Sequence, residues 1–189
     1  MESQENKGFD WQNLDDSEGY RRWREMRFAA AESAKSSDFV GISDLANLSE
    51  SERAELTRRC ARTNLALYQT EPGEIMRDKL RPFADAFGLR IAEKHRSAGG
   101  DGIVALRESD AAGQRGYIPY SKRPMNWHTD GYYNAPDDRI SAMVLHTALP
   151  AGEGGENQFL DHAVAYIRLR DENPDYVRAL MAPGAMSIP

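Results

Sequence analysis

Cysteine is almost missing from this chain: Cys60 is the single one in 189 residues. That excludes an intrachain disulfide framework and any cysteine-rich zinc site, and it fits a reducing, cytoplasmic setting. Long apolar runs are missing too. None approaches the ~20 residues of a membrane-spanning helix, and the polar start Met1-Glu2-Ser3-Gln4-Glu5-Asn6 has no signal-peptide core. Positive charge is in deficit, with a formal net charge of −6, which argues against a nucleic-acid surface. No glycine-rich phosphate loop with a Lys-Ser/Thr pair occurs, no Gly-x-Ser-x-Gly elbow, no internal repeat and no low-complexity tract.

What remains is an ordinary folding composition. Hydrophobic residues make up 40% and charged residues 29%, enough apolar side chain to rule out disorder and to predict a single domain over residues 1–189. A helix is expected from about Glu18 to Lys35, with Trp23, Met26 and Phe28 as its larger apolar residues. Ser49-Glu50-Ser51-Glu52 fits a capping box with Ser49 as N-cap and Glu52 at N3. Leu56, Cys60 and Thr63 or Asn64 then recur at helical spacing, so Cys60 is expected as a small buried hydrophobe. The cluster Arg58, Arg59 and Arg62 reads as the solvated side of that helix.

Residues 64–70 alternate as a strand would. Pro72 can open a helix carrying Ile75, Leu80, Phe83 and Phe87, which Gly88 then stops. Gly99-Gly100-Asp101-Gly102 reads as a loop into a strand at residues 102–108, and residues 113–124 are rich in turn formers. Residues 140–149 (Ile-Ser-Ala-Met-Val-Leu-His-Thr-Ala-Leu) are the strongest buried-strand candidate. A helix is expected from Asp161 to Arg170, and another from Asn173, with Asn173 as N-cap and Pro174 at N1. Residues 186–189 resemble the start of a further strand. Early helices and strands flanking the central motif predict an α+β fold with an antiparallel, barrel-like sheet.

The chemistry concentrates in Trp127-His128-Thr129-Asp130-Gly131. In extended backbone, side chains two positions apart leave the same face. The His128 imidazole and the Asp130 carboxylate can therefore reach one metal ion, as two of the three ligands of a facial triad. Other histidines are less suggestive. His146 lies within an apolar strand pattern and suits a hydrogen-bonded core or sheet role. His162 sits at a helix start beside Asp161, and His95 lies between Lys94 and Arg96 in a polar stretch.

The order of features around the motif resembles the TauD/TfdA family of Fe(II)- and 2-oxoglutarate-dependent dioxygenases. Trp-His-Thr-Asp-Gly-Tyr-Tyr (127–133) leads through a strand pattern to Leu149-Pro150. Gly154-Gly155-Glu156-Asn157-Gln158-Phe159-Leu160-Asp161 follows, and then Ala165-Tyr166 on a helix. The resemblance is strong over about residues 120–170 and topological before that. It implies a double-stranded β-helix (jelly-roll-like sheet), here incomplete, with N-terminal flanking helices. It implies His128 and Asp130 as iron ligands and a 2-oxoglutarate contact at Asn157, where the family usually carries Thr or Ser. An amide donor can stand in for the hydroxyl.

Trp127 would then lie beside the metal or serve as an ordinary core tryptophan. Tyr132 and Tyr133 would shape a substrate pocket or simply pack. The implied reaction couples oxidative decarboxylation of 2-oxoglutarate, with O₂, to hydroxylation of a small organic substrate. In the family a second iron histidine and a 2-oxoglutarate arginine lie well downstream of the Gly-Gly segment, and no histidine follows His162 here. The resemblance therefore implies the N-terminal portion of an oxygenase domain. The alternative is a non-catalytic fragment or repurposed binding module of the same fold, with exposed sheet edges that a homo-oligomer could cover.

Overall fold

A computed structural model of the chain describes residues 9–35, 38–71, 77–92, 100–111 and 114–186. Local signals set the helices. Helix α1 runs over Ser17–Lys35, α2 over Glu50–Thr63, α3 over Arg77–Ala86, α4 over His162–Glu172 and α5 over Pro174–Leu180. The capping box forms as predicted: the Glu52 backbone N–H donates to Ser49 Oγ (3.2 Å), and the Ser49 N–H donates back to Glu52 Oε2 (2.7 Å). Glu52 also accepts from the Ser43 N–H (2.8 Å). These bonds, the Ser43 backbone bond first, hold its carboxyl down at about 2.

At the other end of α2, Asn64 takes the left-handed conformation (φ +58°) and caps the helix. This corrects the strand expected over residues 64–70. Its first residues turn the chain, and only Tyr68–Thr70 (β2) is strand. It pairs with Val40–Ile42 (β1) in the register Val40↔Tyr68, Gly41↔Gln69, Ile42↔Thr70. The pairing is parallel, with α2 in the connection, whereas antiparallel pairing was expected.

The chain divides into two compact units. One takes in Met1–Asp44, Leu48–Pro72 and Ala151–Pro189. Within it α1 packs on α2 and α4, and α4 packs on α5. Ile167, Val177, Ala163, Ala30, Leu56, Val40 and Ile42 form its buried apolar centre. Asp161 caps α4 through the Ala163 N–H (3.0 Å), binds Arg27 Nη2 (2.5 Å) and accepts from Asn64 Nδ2 (2.7 Å). The Arg27 and Asp161 side chains are only 7% and 8% exposed.

Nearby, Arg170 donates to Tyr166 Oη and to the Leu14 carbonyl (3.0 Å each) and lies 3.9 Å from the centre of the Tyr20 ring. Burial, and then its bond to Asp171, raise the Tyr20 hydroxyl above its ordinary value. Cys60 is exposed rather than buried, because the α2 face that packs inward runs through Leu56 and Thr63 and leaves position 60 to one side. Arg58 and Arg59 pair with Glu55 on the outer face.

The second unit comprises Leu45–Asn47 and Gly73–Pro150. Here α3 buries Phe83 against Phe87 (ring centres 5.3 Å apart) and ends before Gly88, at φ +77°. The Pro72 and Ile75 start expected for it lies outside the described residues, as does His95. Arg77 holds Asp101 through both carboxylate oxygens (2.8 and 2.9 Å) and also donates to the Ile103 carbonyl (2.8 Å). A 3₁₀ turn at Ile118–Tyr120 buries Tyr120, within the region read as turn-rich.

Two expected strands do not form. Among the described residues the only sheet is β1–β2, and residues 102–108 and 140–149 carry no regular structure. Residues 140–149 are not buried either, and Leu149 is 73% exposed. A strand needs a neighbour to satisfy its backbone and cover its apolar face. No described segment lies alongside these stretches as a strand, so the incomplete jelly-roll sheet is not formed. Met186 is a bend, and residues 187–189 lie outside the described set.

Candidate metal centre

The motif lies between two local structures of the second unit. Upstream, the Ile118–Tyr120 turn closes through Ser121 N–H to the Ile118 carbonyl (3.0 Å), and Arg123 binds the Gly116 carbonyl and Ser121 Oγ. Residues 124–129 then run without regular structure. Downstream, a turn over 131–134 leads to a 3₁₀ turn at Pro136–Asp138.

Between them, His128 and Asp130 turn their side chains toward each other. His128 Nε2 stands 3.5 Å from Asp130 Oδ1, with the side chains 40% and 45% exposed. His128 Nδ1 lies 2.7 Å from the Asn126 carbonyl oxygen. A carbonyl can only accept, so Nδ1 is the donor, and Nε2 is the ring nitrogen that faces the carboxylate. A neutral imidazole held by its second nitrogen is the usual state of a metal-bound histidine.

The donor separation suits an ion. Bonds of roughly 2.1 Å from a metal to nitrogen and oxygen put adjacent octahedral donors roughly 3 Å apart, so Nε2 and Oδ1 need to close only slightly. The pair fits two adjacent coordination positions. It does not make a three-donor set, for among the described residues no group of three His, Cys, Asp or Glu is placed to hold a metal. His146 is half-buried, with burial lowering its pKa, and His162 is exposed as the first residue of α4.

The other predicted residues divide as follows. Trp127 is 67% exposed, which rules out the core-tryptophan alternative. Tyr132 and Tyr133 are exposed, their rings edge to face at 5.2 Å. Asn157 is exposed and belongs to the helical unit. Its Nδ2 is 3.5 Å from the Gly155 carbonyl, and Gly154 and Gly155 both take positive φ. The His128 tether at Asn126 escapes sequence reading because it uses a backbone carbonyl, which every residue carries.

His128 and Asp130, at i and i+2, thus face each other across 3.5 Å without a third donor among the described residues. Comparison with known families gives the class. The family model for "Taurine catabolism dioxygenase TauD, TfdA family" matches residues 33–187, and the chain belongs to this family. No curated protein and no solved structure matches it. Members of the family generally use Fe(II) and 2-oxoglutarate. No helix among the described residues is long and apolar enough to cross a membrane.

Proposed function

We propose that this chain works as an Fe(II)- and 2-oxoglutarate-dependent dioxygenase that hydroxylates a small organic molecule, with His128 and Asp130 as two of its iron ligands. The observation that carries the reading is the 3.5 Å approach of His128 Nε2 to Asp130 Oδ1, with Nδ1 donating to the Asn126 carbonyl. It falls within a chain of the TauD/TfdA family. Fe(II) with bound 2-oxoglutarate supplies the oxidising chemistry, which draws on O₂.

The chain's own residues do the rest. His128 would ligate through Nε2, its ring held in aim by the Asn126 carbonyl. Asp130 offers the negative charge that a divalent cation selects. Asn157 can donate an amide N–H to a 2-oxoglutarate carboxylate. Trp127, Tyr132 and Tyr133 offer ring faces and edges against which a small, partly apolar substrate can pack. The family supplies small-molecule substrate and O₂ as partners. The acidic charge and the near absence of cysteine support a cytoplasmic protein without a nucleic-acid partner.

A second reading has its own observation. The described residues group no third ligand with the pair, which favours a non-catalytic binding module, its unladdered segments covered in a homo-oligomer. An anaerobic titration separates the two. Fe(II) followed by 2-oxoglutarate is expected to raise the weak visible charge-transfer band of the chelate, lost in both His128→Ala and Asp130→Ala. Absence of the band in the native chain favours the module.

A further inference from the structure

Gly131 is buried although Asp130, Tyr132 and Tyr133 around it are exposed. Its φ is +67°, and a Cβ built on it would lie 2.7 Å from both Cγ1 and Cδ1 of Ile140 and 3.1 Å from Asn134 Nδ2. Those distances leave no room for any side chain while Ile140 stays in place. The loop between the two residues closes on itself. The Asn134 N–H donates to the Gly131 carbonyl (2.9 Å), the Asp138 N–H to the Ala135 carbonyl (2.9 Å), and Asn134 Nδ2 to the Asp138 carbonyl (3.0 Å). Ile140 thus returns onto the residue that follows Asp130.

This matters for Asp130 because Gly131 is its immediate neighbour: a turn anchored at 131 restrains the backbone on one side of Asp130 and so limits how far its side chain can swing from His128. We propose that Gly131 and Ile140 are positioning residues for the metal site: the bare glycine seated under Ile140 fixes the turn that aims the Asp130 carboxylate at His128. The inference rests on the metal-binding reading above. It adds a steric condition, namely that bulk at 131 misdirects Asp130 and that space opened at 140 restores it.

The test is a set of four full-length chains: native, Gly131→Asn, Ile140→Ala and the double variant. Asparagine tolerates positive φ, so Gly131→Asn adds bulk while sparing the backbone conformation. Co(II) serves as the probe, with its visible absorption read at saturation and in titration. The Asn134 amide exchange rate and the melting curve are measured on the same samples without metal.

Gly131→Asn is expected to bind Co(II) roughly 10–100-fold more weakly, the usual effect of disturbing a residue that orients a ligand. Ile140→Ala, which empties the seat, should bind roughly a few-fold more weakly than the native chain, and the double variant should recover from the Gly131→Asn level to that of Ile140→Ala. A purely structural role would lower the melting temperature without changing the Co(II) spectrum or affinity of the folded chain. Native-like Co(II) binding by Gly131→Asn overturns the proposal, as does a double variant that stays as weak as the single one.

If the native chain binds no Co(II), the metal reading falls. Loss of Asn134 amide protection in Gly131→Asn, regained in the double variant, would still uphold the loop lock. Should Gly131→Asn fail to fold, Ile140→Phe crowds the same contact from the other side and is expected to weaken Co(II) binding. Undiminished binding there overturns the proposal.

Discussion

In the helical unit a single carboxylate, Asp161, caps α4, pairs with buried Arg27 and accepts from Asn64 at the end of α2. In the unit that carries His128 and Asp130, residues 140–149 run without regular structure and with no strand beside them among the described residues. The helical unit satisfies its backbone through near neighbours in sequence and reserves a few buried ionic contacts for joining helices. The motif unit is held by short loops and turns, such as the one from Gly131 to Ile140, with little regular structure behind them. His128 and Asp130 are therefore turned toward each other by local loop geometry rather than by a formed sheet.

The sharpest break of this contrast is Asp161→Ala. It leaves the Arg27 guanidinium buried without its partner, strips the α4 cap and frees Asn64. Chemical denaturation should show a loss of about 3–5 kcal/mol, the usual cost of orphaning a buried charge, whereas Asp130→Ala should leave stability near native. Next comes Arg170→Leu, which removes two hydrogen bonds from a charged group and a cation seated over Tyr20. A loss of about 1.5–3 kcal/mol is expected in the same measurement.

The capping box should give a smaller effect. Ser49→Ala is expected to cost about 1 kcal/mol, read as a shift in the urea midpoint. Its pH dependence follows from Glu52. The folded carboxyl titrates near 2 against an ordinary 4.5, so the native state favours the charged form. The stability this adds is fully present above about 4.5 and is lost as pH falls toward 2. The difference in melting temperature between native and Glu52→Gln chains should therefore be greatest at pH 7, though modest for so exposed a group, and shrink steadily below pH 4.5. Cys60→Ser marks the lower end, within about 0.5 kcal/mol, since the residue is exposed.

Amide exchange sharpens the contrast directly. Residues 163–171 of α4 should exchange slowly and residues 140–149 quickly. Slow exchange in 140–149 would mean that a partner strand covers them in solution, and size-exclusion at several concentrations would show whether a second copy supplies it.

Sequence reading succeeded where the cause is local. Ser49 with Glu52, Asn173 with Pro174, and Asp161 before α4 each act within three or four residues, so their side chains announce the helix start. It failed where a distant partner decides. Residues 140–149 have a strand's composition but not its neighbour, and Asn64 carries a strand-like context but serves α2 as a left-handed cap. Cys60 shows the limit of periodicity, since a residue four positions after buried Leu56 can still fall just off the packed face.

At the candidate site, the facing of His128 and Asp130 agrees with their i, i+2 spacing, while their reading as ligands came from the order of features shared with the family. The tether to the Asn126 carbonyl was not legible, nor was the seating of Ile140 on Gly131, because both depend on how the loop closes. Arg27 and Arg170 also escaped notice, as a buried arginine looks like any surface arginine until its carboxylate or ring partners are known.

The most direct test is the Fe(II) dissociation constant, measured anaerobically by competition with a chromophoric chelator. It is compared across native, His128→Ala and Asp130→Ala chains whose melting curves coincide. The account predicts that each single substitution weakens Fe(II) binding by at least tenfold, about 1.4 kcal/mol, and that the double variant binds no more tightly than either. Equal affinity in all of them would contradict the assignment of His128 and Asp130 as ligands.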